Sequence, residues 1–131
     1  MAVFLIFSYF KYPNSTDLHA SCGAFNNCSE SDMIATVISD SGGISIESFI
    51  SWVEEGIKRV DLVLNNPATK NYWSCEAWGV ELENPIVRIY SLYDCDVVQN
   101  TNIITFRKAL VAWQKFLERE PEQDYQEVLE L

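Results

Sequence analysis

The side chains in this sequence best able to do chemistry are carboxylates, and they come in pairs. Glu81 and Glu83 share one face of any strand that contains them, and Asp94 and Asp96 follow the return strand. Carboxylates gathered in this way bind a divalent cation, perform acid–base work or form an acidic surface for a protein. No Asn/Asp/Gly calcium loop surrounds these four, so a solvated edge or a protein-binding surface accounts for them better than a metal. Asp17, His19 and Cys22 hold the ingredients of a nucleophile and its base. Members of a catalytic triad usually converge from separate elements, however, so an ordinary loop histidine is the simpler reading. The sequence has no glycine-rich phosphate loop, no H-E-x-x-H and no G-x-S-x-G. It is therefore expected to be neither an enzyme nor a carrier of a cofactor or metal.

Composition narrows the choice of partners. The 131 residues suit one domain with a sizeable core, and 48% hydrophobic content excludes disorder over most of the chain. A formal net charge of −10 disfavours nucleic acid and anionic membrane, both polyanions held mainly by Lys and Arg. The same charge would steer a basic partner. The opening MAVFLIFSYF lacks a basic leader region and a small-residue cleavage site, and is too short to span a bilayer, so it reads as a buried strand. The expected compartment is the cytoplasm, with Cys22, Cys28, Cys75 and Cys95 reduced; they form no C-x-x-C pair. Two glycosylation sequons, at Asn14 and Asn27, would matter only in a secreted protein.

The elements that must position these residues centre on Asn71 to Tyr93. This stretch reads as two β-strands turning at Asn84-Pro85, with the remainder of the chain covering one face of the sheet. Gly79 marks a bulge or a close approach of backbone. Ala2–Phe10 reads as a central strand covered on both faces, Lys11–Thr16 as a turn and Asp17–Asn27 as a loop. Ser29–Asp32 would cap a short helix through Ile38, with a strand as the rival because Thr36, Val37 and Ile38 are β-branched. Ser45 caps a strong helix whose apolar stripe is Phe49, Ile50, Val53, Ile57, Val60 and Leu64, led by Ile46 and ended by Asn65-Asn66-Pro67. Gly56 costs that helix about 1 kcal/mol against Ala. Gln99–Asn102 is loop-like, and Val97-Val98 with Ile103-Ile104 suggests a short hairpin. Thr105 caps a final helix with the stripe Phe106, Ala109, Leu110, Trp113, Phe116 and Leu117, stopped by Pro121. Trp73, Trp78 and Trp113 are expected between hairpin and last helix, with Trp52 partly exposed. From Glu118 onward six acids and one base give a net of −5, half the charge of the chain. The expected organisation is one α+β domain over 1–120 and an acidic tail over 121–131, frayed or docked as a short helix. Its core is a small, mainly antiparallel sheet, made of the N-terminal strand and the central hairpin, covered by two or three amphipathic helices.

An acidic domain of this size with the tract IVRIYSLYD followed by the amphipathic FRKALVAWQKFL resembles the small immunity proteins of bacterial toxin–immunity systems, including contact-dependent growth inhibition and other polymorphic toxins. The resemblance implies a protein that binds one cognate toxin domain, typically a nuclease with a basic cleft, and neutralises it stoichiometrically. On that reading the binding patch combines Glu76, Glu81, Glu83, Asp94 and Asp96 with Tyr90 or Tyr93. Two other readings stay open: an acidic adaptor or subunit of a larger complex that docks through its tail, and a small-molecule-binding domain with a pocket between helices and sheet.

Overall fold

The computed structural model describes residues 4–24, 28–94 and 96–131. Its elements run β1 (Phe4–Phe10), β2 (His19–Ala24), α1 (Ser29–Ile38), α2 (Ile46–Asn65), β3 (Lys70–Ser74), β4 (Trp78–Glu83), β5 (Ile86–Ser91), β6 (Val98–Asn102), α3 (Ile103–Glu118) and β7 (Gln126–Glu130). The α+β class holds, but the strands divide between two antiparallel sheets. An N-terminal sheet has the order β2-β1-β7 and a central sheet the order β3-β4-β5-β6. Helices α1 and α3 each touch strands of both sheets, while α2 packs along α3 and over β3 and β4.

In β1, Leu5 and Phe7 are in the core, whereas Ile6 and Ser8 on the other parity are half-buried, so that face is covered less completely than expected; Ala2 and Val3 lie outside the described residues. Its central place needs two partners. The first is β2, which forms where a loop was expected, because an extended chain of ambiguous propensity is captured by the open edge of β1. Gly23 pairs with Ile6 in that ladder. Residues Asn26 and Asn27 lie outside the described part. The second partner is β7, which replaces the expected short helix: Phe4 to Ser8 pair with Glu130 to Gln126. Period-two alternation was hidden there by five residues of mostly polar type, exposed except for Leu129.

The central stretch also differs from its reading as two strands. Residues 71–83 bend at Cys75–Ala77 and return as β4, so three strands rather than two arise between Lys70 and Ser91. The bend is held by Cys75 N donating to Trp78 O at 2.8 Å and by Ala77 N donating to Asp40 Oδ2 at 2.7 Å. It sets Trp73 opposite Val80, so both face the core. The expected turn between β4 and β5 is present, and its Asn84-Pro85 peptide is cis. Gly79 sits in regular register with Ser74 and Tyr90, and the close approach is to a side chain: a Cβ there would meet the Tyr90 ring at 2.9 Å.

Helix α3 follows its stripe, whereas in α2 Phe49, Val53, Ile57 and Val60 are buried as expected, Ile50 and Leu64 only partly, Ile46 is exposed, and Val63 enters the core instead. Ser45 caps α2 as expected, its Oγ accepting from Ser48 N at 3.2 Å. In α3, Asn102 caps instead of Thr105, its Oδ1 accepting from Ile104 N at 2.8 Å, so Ile103-Ile104 begin the helix rather than a strand. The residues before that cap form β6, because the loop-like Gln99–Asn102 finds the free edge of β5. Cys28, not Ser29, is the N-cap of α1. The tryptophans serve different joints. Trp73 packs on α2 and stacks with Trp52 at 6.0 Å, while Trp113 meets Phe7 at 5.3 Å and Phe116 at 6.0 Å under the N-terminal sheet. Trp78 is half-buried.

Candidate functional site: an acidic rim on the central sheet

Register decides which of the expected residues can act together. On β4 the inward residues are Val80 and Leu82, facing Ile89 and Val87 of β5. Glu81 and Glu83 therefore lie on the outer face, opposite Arg88 and Ile86 on one side and Tyr72 and Lys70 on the other. Lys70 Nζ reaches Glu81 Oε1 at 3.1 Å and Glu83 Oε2 at 3.7 Å. Hydrogen bonding and charge from Glu81, followed by the charge of Glu83, hold the Lys70 ammonium above its usual pKa. Tyr90 is on the same face, over Gly79, with the Arg88 guanidinium 5.3 Å from its ring centroid. Two acids and two bases thus interleave on the outer face, and its local charge is close to balanced.

The other expected residues gather elsewhere. Alternating strand direction puts the β3–β4 bend and the β5–β6 loop at one end of the central sheet, and Leu92 N donates to Ala77 O at 2.9 Å to join them. Glu76 projects from the bend, while Tyr93, Asp94 and Asp96 project from the loop; all four are exposed, Tyr93 at 80%. The loop is braced by its own polar groups. Ser91 Oγ accepts from Tyr93 N and Asp94 N at 3.1 Å each, and Asp94 Oδ1 accepts from Asp96 N at 3.1 Å. Cys95 lies outside the described residues.

Asp40 completes this rim from the α1–α2 loop and was not among the expected site residues. It lies 37 positions from Ala77, whose N–H it receives, and only the tertiary fold brings them together. Gly42, at φ 62°, lets the same loop approach: a Cβ there would sit 3.1 Å from both Cβ and Oε2 of Glu76. Segments 39–45, 74–78 and 91–97 contain four described acids and no Lys or Arg. Among the described residues, Glu76, Asp94 and Asp96 make no ion pair with a Lys or Arg. Leu92 and Val97 stay partly open beside Tyr93, at 44% and 37% exposure. The rim can therefore offer unpaired carboxylates and apolar surface together.

The nucleophile-and-base ingredients have a different fate. Burial pushes the Cys22 thiol up to about 12, so it is protonated near neutral pH and a poor nucleophile. His19 is exposed and packs against Phe10 at 5.5 Å and Tyr12 at 5.2 Å. Among the described residues no group of three or more His, Cys, Asp or Glu is placed to hold a metal ion, and no helix is long and apolar enough to cross a membrane.

A family model described as a family of unknown function, DUF5376, matches residues 3–131. No curated protein and no solved structure matches the chain.

Proposed function

The chain belongs to DUF5376, a family whose description names no activity, and from its own surface we propose that it is an immunity-type protein, binding a basic toxin domain and blocking it stoichiometrically. The observation that carries this reading is the rim: Asp40, Glu76, Asp94 and Asp96, none in an ion pair with Lys or Arg among the described residues, around a Tyr93 that is 80% exposed. Unpaired acids raise the local concentration of a basic partner and steer its approach, with association at up to about 10⁸–10⁹ M⁻¹s⁻¹ at low salt. An exposed tyrosine bordered by Leu92 and Val97 supplies the kind of anchor on which affinity rests once water is excluded. A nuclease, whose cleft must attract a polyanion, has the complementary charge. On this reading the protein is non-catalytic and works in the cytoplasm, where an incoming toxin would act.

The outer-face residues Glu81, Glu83 and Tyr90 border the rim and contribute less steering, because Lys70 and Arg88 offset them. The adaptor reading has weaker support, since residues 126–130 of the acidic stretch are engaged as a strand against β1.

The test is growth of bacteria expressing the C-terminal domain of the reading frame that neighbours this gene, with and without this chain. The expected result is rescue and a one-to-one complex whose association rate falls with added salt. No rescue and no complex would overturn the proposal.

A further inference from the structure

A hollow of about 800 Å³ opens where the start of α2, the second half of α3 and strand β2 meet, with the α1–α2 loop along one side. Its volume is that of a site for a small organic molecule. What such a molecule must be follows from three properties of the lining: an open apolar wall, neutral hydroxyls, and a buried donor with nothing to bond.

Phe10, Tyr12, Ile44 and Ile46 form the wall with 39–59% of their surface exposed, and the rings of Phe10, Tyr12 and His19 have centroids 5.2–5.5 Å apart. Apolar side chains converging on one hollow carry a hydration cost that a ligand would relieve. The loop side is polar but uncharged. Ser41 Oγ accepts from Gly43 N at 3.3 Å, which leaves its O–H to donate. Ser39 Oγ donates to Ala35 O at 2.6 Å, which leaves its lone pairs to accept. Trp113 also belongs to the lining and is 1% exposed, yet its indole Nε1 has no hydrogen-bond partner among the described residues. A buried indole N–H normally finds an acceptor, so one left unpaired points to a missing partner. Charge is scarce: Asp17 is the one carboxylate among the described lining residues, which include no Lys or Arg.

We infer that this hollow binds a small, neutral, planar lactam. Its aromatic body lies against the Phe10–Tyr12–Ile46 wall, its ring carbonyl accepts from Trp113 Nε1, and the hydroxyls of Ser39 and Ser41 meet the rest of its polar edge. An anion would find no base to hold it. A cation would find a single exposed carboxylate. A hydrocarbon would leave the indole N–H and the hydroxyls unpaired, the costly outcome for buried polar groups. This inference does not rest on the toxin-binding reading: Asp40 of the rim lies between Ser39 and Ser41, so the two sites share a loop and no side chain.

The test is an NMR titration of ¹⁵N-labelled full-length protein with three probes of matched bicyclic body: 2-quinolinone, 2-naphthoate and 2-naphthylmethylamine. The neutral lactam should move the Trp113 indole N–H downfield and shift the amides of residues 19–22 and 39–46. Each charged probe should bind at least about tenfold more weakly. Trp113→Phe should lower affinity for 2-quinolinone by about three- to tenfold, the loss of one buried hydrogen bond. Tyr12→Ala, at an exposed position, should lower it by a similar factor through the lost ring contact. Lys58→Gln, on the exposed side of α2, should leave it unchanged. If Trp113→Phe does not fold, the indole shift and Tyr12→Ala decide. No response to 2-quinolinone, equal or tighter binding of either charged probe, an indole N–H that stays in place, or unaltered affinity in Tyr12→Ala would each overturn the inference.

Discussion

Gly56 on α2 lies directly against the indole of Trp73 on β3: a Cβ at position 56 would come within 2.8 Å of Trp73 Cε2. The contact explains a glycine in the middle of a long helix. Trp73 Nε1 donates to Trp52 O at 3.1 Å and Trp52 Nε1 donates to Ser74 O at 2.8 Å, so neither ring is free to retreat. Gly56→Ala gains about 1 kcal/mol of helix propensity and incurs overpacking of about 1–3 kcal/mol. The expected result is a net loss of stability of about 1 kcal/mol, read as a lower denaturation midpoint in urea with an unchanged slope.

Buried thiols make the fold sensitive to alkali. Burial holds both Cys22 and Cys75 at about 12, with the charge of Asp40 adding to the effect at Cys75. An acid whose pKa is raised by folding stabilises the native state below its unfolded pKa, and that stability is lost as pH rises toward the folded value. Stability should therefore be flat near neutral pH and fall between about pH 9 and 12, by up to about 1.4 kcal/mol per pH unit for each thiol. Cys22→Ala should flatten the decline in a denaturant series across that window.

Cys28 should behave in the opposite way. Hydrogen bonds from Ser31 at the start of α1 lower its pKa, which raises its thiolate fraction. Iodoacetamide at pH 7.5 should alkylate Cys28 well before Cys22 and Cys75, which are half-buried and held protonated. Peptide mass spectrometry against time would show the order.

Strand β7 should be needed for stability. Tyr125 packs beside Tyr9 and Phe116, and Lys108 Nζ donates to Glu130 O at 2.6 Å. Truncation after Pro121 removes these contacts and the β1 ladder, at a cost of about 2–4 kcal/mol. The truncated protein should unfold at lower denaturant concentration and bind a hydrophobic dye through the bared edge of β1.

The rim and the outer face should separate in binding kinetics. Glu76→Lys/Asp94→Lys/Asp96→Lys moves the formal charge from −10 to −4, each reversal adding two. It should slow association with a basic partner by at least about tenfold at low salt. Glu81→Lys/Glu83→Lys should slow it less per charge. Tyr93→Ala should leave stability unchanged and speed dissociation. Stopped-flow association over a salt series would check the first two, and complex lifetime the third.

Legibility followed burial. The stripe of α3 and the middle of that of α2 could be read because those faces lie in the core, and the cap at Ser45 is a local hydrogen bond. Strands β2, β6 and β7 could not, because edge strands with polar or small residues gain their structure from a neighbour's free hydrogen-bonding groups. Four of the seven expected binding residues do meet on the rim, since strand direction alone brings Glu76 beside Tyr93, Asp94 and Asp96. The balancing of Glu81 and Glu83 by Lys70 depends on the bend at Cys75–Ala77, which a continuous-strand reading of 71–83 leaves out.

The pairing of β1 with β7 also carries a consequence for biosynthesis. The strand made first among the described elements sits between its neighbours only when the strand made last has emerged. A nascent chain must hold the free edge of β1 open through the synthesis of three helices and five other strands, and then close a loop of nearly the whole domain. Such closure is slow compared with local helix formation. Until it occurs, the free edge of β1 is open to strands from other chains. Expression should thus be more vulnerable to premature termination near Pro121 than a domain built from local hairpins would be.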